Sequence, residues 1–167
     1  MENEIIQIPQ INHHTSIPQG FVFIGEYPSF HEPSEKEYFF RYKESHLVIW
    51  SYSETKFGYL TYQKEFPLKV LPWVVVQLDR FEKPESVGGI PSDEVSNTID
   101  MGGEIIGIAC GSCIGGPNIH GYEIWNKARR NKYDNFQDFK MPSPWLDSGF
   151  RDFWKSMSDK FFPQGWV

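Results

Sequence analysis

The sequence predicts an α+β fold in a single domain, mainly antiparallel sheet with one central helix and a C-terminal amphipathic helix. Three observations carry that prediction. Aromatic and branched residues gather in short segments across 38–66, separated by gaps of turn length. Apolar residues recur at helical spacing from Phe150 to Phe161. Strands and helices follow one another without strict alternation, which argues against a parallel βαβ plan. The 167 residues suit one domain with a sizeable core, and no repeat, low-complexity tract or dividing linker interrupts them.

Residues 1–20 alternate apolar and polar only weakly and hold Pro9, Pro18 and the pair His13-His14; they read as a partly ordered lead-in. Phe21-Val22-Phe23-Ile24, closed by Gly25 and Pro28, reads as a short buried strand. After a polar loop with Pro33, the segments 38–42 and 46–52 flank Lys43-Glu44-Ser45, the length of a hairpin connection. In 57–66, Phe57, Tyr59 and Thr61 take one parity and Leu60 and Tyr62 the other. Together these segments predict an antiparallel meander.

Residues 71–83 admit two readings. Three consecutive valines fit a strand. A helix is the expectation, because Pro72 suits a first turn, Val74, Val75, Leu78 and Phe81 share a face, and Gln77, Asp79 and Arg80 take the other. Pro84 ends it. Residues 84–103 read as a long polar connection, 104–109 and 121–128 as strands, and 129–144 as loop with a short strand. In the last segment Phe150, Phe153, Trp154, Met157 and Phe161 form one apolar stripe, with Asp147 and Ser148 as capping residues ahead of it and Pro163 as its stop.

Composition narrows the function classes. The chain is 40% hydrophobic and 17% aromatic, too rich in buried-type residues for a disordered chain. Its net charge of −6 is the wrong sign for a free nucleic-acid binder; solubility by itself accounts for that charge, which also suits a basic protein partner. The acidic start Met1-Glu2-Asn3-Glu4 lacks the features of a signal peptide, no apolar run approaches a membrane span, and two cysteines are too few for a disulfide framework. The expectation is a cytoplasmic protein without membrane contact.

Four local patterns invite chemistry. Cys110-Gly111-Ser112-Cys113 has the spacing of a redox pair, but Ile114-Gly115-Gly116-Pro117 follows it and opposes the helix start that lowers a thiol pKa. Small residues filling a tight turn account for it. The same cysteines with His120 offer three zinc ligands, without the second close pair that a structural site uses. The glycines between Gly102 and Gly116 lack the lysine and hydroxyl of a phosphate loop, and Ser112 lacks the first glycine of a hydrolase elbow. Lys127, Arg129, Arg130 and Lys132, interleaved with Trp125 and Tyr133, resemble a nucleic-acid patch but read as a solvated face in an acidic chain. His46, in a strand pattern, reads as structural. The expectation is no cofactor, no metal and no direct nucleic-acid contact.

Leu71-Pro72-Trp73, Gly88-Gly89-Ile90-Pro91, Gly103-Glu104-Ile105-Ile106, and Gly121-Tyr122-Glu123-Ile124 with Asn126, Lys127 and Arg129 give the chain a likeness over 66–130. In these residues it resembles immunity proteins of bacterial contact-dependent growth inhibition systems. The resemblance implies a small cytosolic inhibitor that binds a cognate toxin domain, often a nuclease, and covers its active site. A nuclease site is basic, so an acidic surface suits it. Glu82, Glu85, Asp93, Glu94 and Asp100 are the expected partner-binding residues, because they cluster in and beside one polar connection. Two other readings stand beside this one: a small enzyme using Cys110, Cys113 and His120 in thiol redox or metal-assisted chemistry, and a non-catalytic adaptor subunit.

Overall fold

A computed structural model describes residues 4–91 and 94–167. Two four-stranded antiparallel sheets dominate it, each a simple meander in chain order. The first holds β1 (Phe21–Pro28), β2 (Lys36–Tyr42), β3 (His46–Thr55) and β4 (Gly58–Pro67). The helix α1 (Val70–Glu82) follows, and then the second sheet: β5 (Ser96–Met101), β6 (Glu104–Gly111), β7 (Gly121–Arg130) and β8 (Phe136–Pro142). The chain ends in a short α2 (Ser143–Trp145), a wide turn (Leu146–Phe150) and α3 (Arg151–Phe161). The α+β architecture and both long helices are as the sequence predicts.

The meander forms because its parities are consistent. Phe39, Leu47, Ile49 and Phe66 point to the main core, while Phe40, Tyr42, Val48 and Trp50 form a second cluster on the opposite face. Lys43, at φ 49°, makes the tight turn between β2 and β3. The second cluster is roofed by the lead-in, where Ile11 is fully buried. The Trp50 indole N–H donates to the Ile11 carbonyl at 2.7 Å, and the Ile11 N–H donates to Gln63 Oε1 at 2.8 Å. Residues 4–20 thus include an ordered strap across the first sheet.

Helix α1 buries Val70, Leu71, Trp73, Val74 and Leu78 against the core and packs on α3. Gln77 departs from its expected polar side: it is buried, and Asn97 Nδ2 donates to its Oε1 at 2.9 Å. The apolar stripe of the C-terminal helix is present. Phe150, Trp154 and Met157 are buried, and the Trp154 indole N–H donates to the Leu71 carbonyl at 3.0 Å, tying α3 to α1.

Four local expectations need correction. Val22 and Phe23 are 48% and 52% exposed, because β1 is an edge strand with one face open, not a buried one. Phe57 sits in the β3–β4 turn, so the strand begins at Gly58. The polar connection 84–103 contains β5, whose Asn97, Thr98 and Asp100 mask a strand that pairs along β6. Asp147 and Ser148 do not cap the last helix. Helical turns already begin at Ser143, and the chain bends at Gly149, where φ is 130° and an added Cβ would lie 2.7 Å from the Tyr27 hydroxyl.

Among the described residues, no helix is long and apolar enough to cross a membrane.

Candidate functional site

The expected partner-binding carboxylates fall on three elements. Glu82, at the end of α1, is exposed but ion-paired with Arg151 of α3. Asp100 lies on β5 and accepts the Gly103 N–H at 2.7 Å, closing its own hairpin turn. Glu85 and Glu94 are exposed and lie in the connection between α1 and β5. Asp93 lies outside the described residues. Since a strand advances roughly 3.3 Å per residue, β5 carries Asp100 about 13 Å along the sheet from its first residue, Ser96. The structure therefore brings Glu85 and Glu94 into one connection and sets Asp100 apart at the far hairpin.

That connection has a definite shape. A single helical turn (Glu85–Val87) stops at Gly88, whose φ of 93° reverses the chain. The Gly89 N–H donates to the Pro84 carbonyl and the Ile90 N–H to the Arg80 carbonyl, both at 3.0 Å. Gly89 is required here, since a Cβ would meet the Lys83 carbonyl at 1.9 Å. Ile90 is buried, and at the far end the Val95 carbonyl accepts the Cys110 N–H at 2.9 Å. Anchored this way, the connection exposes Val87 and Val95 at 64% and 58%.

Cys110 ends β6 half-buried, and Cys113 is exposed in the following loop; both are free thiols. No helix starts after them, in keeping with the glycines and proline there. His120 Nδ1 lies 2.8 Å from the Ser143 hydroxyl. Among the described residues, no three His, Cys, Asp or Glu side chains are grouped to hold a metal. Replacing both cysteines by Ser is expected to leave partner binding intact and to cost at most about 1 kcal/mol, as small substitutions near a surface do. Loss of binding in the double variant, measured by titration calorimetry, would overturn that expectation.

A polar cluster that the sequence reading missed lies where the two sheets meet. His46 Nε2 is 2.6 Å from Glu104 Oε2, Arg129 Nε donates to Glu104 Oε1 at 2.5 Å, and Arg129 Nη1 donates to Glu65 Oε1 at 3.1 Å. Asn126 Nδ2 donates to Glu104 Oε1 and to the Glu65 carbonyl, both at 3.0 Å, and the Glu65 N–H donates to Gln137 Oε1 at 2.7 Å. All six residues are buried. Burial alone would raise the Glu104 pKa, but hydrogen bonds from His46, Arg129 and Asn126 outweigh it and hold the carboxyl at about 2. His46 is structural, as its strand pattern predicts. Arg129 is not part of a solvated face: it is 6% exposed and crosses from one sheet to the other.

Beyond this cluster the free edges of β4 and β8 diverge and leave a cleft of about 510 Å³. Its walls come from Thr61 to Glu65 on one side and Gln137 to Lys140 on the other, with Arg130, Lys132 and Tyr133 of the β7–β8 turn at one end. Lys132 Nζ donates to the Thr61 carbonyl at 3.0 Å and lies over the Tyr62 and Tyr133 rings.

No family model, curated protein or solved structure matches this chain.

Proposed function

We propose that the protein is an immunity-type inhibitor, which binds a basic toxin domain, in particular a nuclease, and covers its active site without turnover of its own. The α1–β5 connection carries this reading. Glu85 stands two residues before the exposed Val87, and Glu94 immediately before the exposed Val95. Apolar side chains bordered by charge are the groups that interfaces bury and rim. The described flanks are held in place, Glu85 to Ile90 by the buried Ile90 and the Gly89 and Ile90 N–H bonds and Val95 by its carbonyl on Cys110, which lowers the ordering cost of docking there.

The net charge of −6 supports the same partner chemistry, since a phosphate-binding toxin site presents the opposite sign. The likeness to immunity proteins spans the segment that contains this connection. The protein is read as acting in the cytoplasm, where a toxin made by the same cell must be silenced.

The test is the association rate with a toxin domain encoded beside this protein. Glu85→Lys with Glu94→Lys is expected to slow association by about ten- to a hundredfold at low salt, where surface charge steers the encounter. Lys56→Glu with Lys127→Glu, also exposed positions, should not slow it. Raising the salt should narrow the gap between variants as the charges are screened. Equal rates for both double variants would remove the connection from the interface.

A further inference from the structure

We propose that the cleft between the β4 and β8 edges is a binding site for a nucleoside phosphate, a small anion carrying a flat nitrogenous ring. Its volume of about 510 Å³ lies within the range of ligand pockets, about 300–1,000 Å³. The decisive feature is Glu37. Its carboxyl lines the cleft, and its Oε2 is buried with no hydrogen-bond partner. A buried carboxylate oxygen left unpaired is costly, and of the unpartnered buried polar atoms among the described residues this is the one on the cleft wall. Glu37 shares its strand face with the core residue Phe39, so the position is one where an apolar side chain would otherwise fit.

The groups around Glu37 specify the rest of the ligand. Lys64, Arg130, Lys132 and Lys140 line the same cleft, giving it four cations. Of its three carboxylates, Glu65 is paired with Arg129. Asp138 is hydrogen-bonded to Glu123, whose pKa rises to about 7 through burial and through Asp138 itself. Burial raises the Glu37 pKa, while Lys64 and a hydrogen bond from the Ser51 side chain to the carboxyl lower it, so Oε2 is the oxygen left for a ligand. The cleft is therefore cationic on an acidic protein, which selects an anionic ligand. Tyr62 and Tyr133 supply aromatic surface, and Tyr133 is 63% exposed at the mouth. Aromatic faces beside cations hold a nucleobase by stacking while the cations take its phosphate. A carboxyl group on the floor pairs with the ring N–H and exocyclic amine edge of a base, as carboxylates do with cytosine amines.

This site stands apart from the α1–β5 connection, and its test is independent of any toxin. The full chain is titrated with the four ribonucleoside 5′-monophosphates, ribose 5-phosphate and inorganic phosphate by calorimetry. At least one nucleotide is expected to bind at least about tenfold more tightly than ribose 5-phosphate, a difference of about 1.4 kcal/mol. Glu37→Gln should change the preference among bases, and Tyr133→Ala, at an exposed position that does not threaten folding, should weaken all four nucleotides. Binding that is equal for nucleotides and inorganic phosphate would overturn the proposal, as would no binding or affinities unchanged in both variants.

Discussion

Glu104→Ala is expected to destabilise the protein by about 3–5 kcal/mol, because it strands the Arg129 guanidinium in the interior. Arg129 is 6% exposed and places its Nε on Glu104 and its Nη1 on Glu65. Without Glu104 one carboxylate remains for a charge that spans both sheets, and His46 and Asn126 lose an acceptor as well. Glu104→Gln keeps the shape but not the charge, so it should cost less than the alanine variant yet more than a surface substitution. Denaturant midpoints at pH 7 measure both. The acid dependence follows from the same group. The Glu104 pKa is lowered on folding from 4.5 to about 2, so its stabilising contribution is complete above the unfolded value and drains away as pH falls from about 4.5 to about 2. That shift corresponds to about 3 kcal/mol. The wild type should lose stability across this window faster than Glu104→Gln does, and parallel acid profiles would contradict the assignment.

Trp154→Ala should cost a similar amount, about 3–5 kcal/mol, through a different cause. Trp154 is 1% exposed, its ring packs near Phe139 and Phe150, and its indole N–H satisfies the Leu71 carbonyl of α1. Removing it opens a cavity where α3, α1 and β8 meet and deletes the indole hydrogen bond that ties α3 to α1. Trp154→Phe refills much of the space and loses the hydrogen bond, so it should fall between wild type and alanine. Thermal unfolding followed by circular dichroism would show the order. An alanine variant within about 0.5 kcal/mol of wild type, the range of surface changes, would show that α3 does not close the core.

How far the sequence reveals this fold depends on whether the signal is local. The β2–β3–β4 meander and the stripe Phe150, Trp154, Met157 are legible because their periodicity lies within a few residues. Strand β5 is hidden because its outward residues, Ser96, Thr98 and Asp100, are loop-forming types and the inward Asn97 is polar as well, leaving two apolar inward residues, Ile99 and Met101. Its strand character comes from pairing with β6, which no local window contains. The ionic cluster is hidden for the same reason, since Glu104 meets His46 across 58 residues and Arg129 across 25. A faint signal does exist. Glu104 is in phase with Ile106 and Ile108, Asn126 with Tyr122 and Ile124, and Gln137 with Phe139 and Met141. Polar residues in register with core positions demand buried partners. Glu37, in phase with Phe39, obeys the same rule, which makes the cleft partly readable from parity alone. The connection at Glu85 and Glu94 was legible as acidic, but its anchoring through Ile90 and its exposed valines were not.

If the protein acts by binding, complex formation between the full chain and a purified basic toxin domain encoded beside it is the measurement that decides. Calorimetry at physiological salt, paired with an assay of the toxin's own activity, reads both affinity and inhibition. The expected result is a one-to-one complex that silences the toxin, weakened by Glu85→Lys with Glu94→Lys and indifferent to Cys110→Ser with Cys113→Ser. No complex and an uninhibited toxin would contradict it.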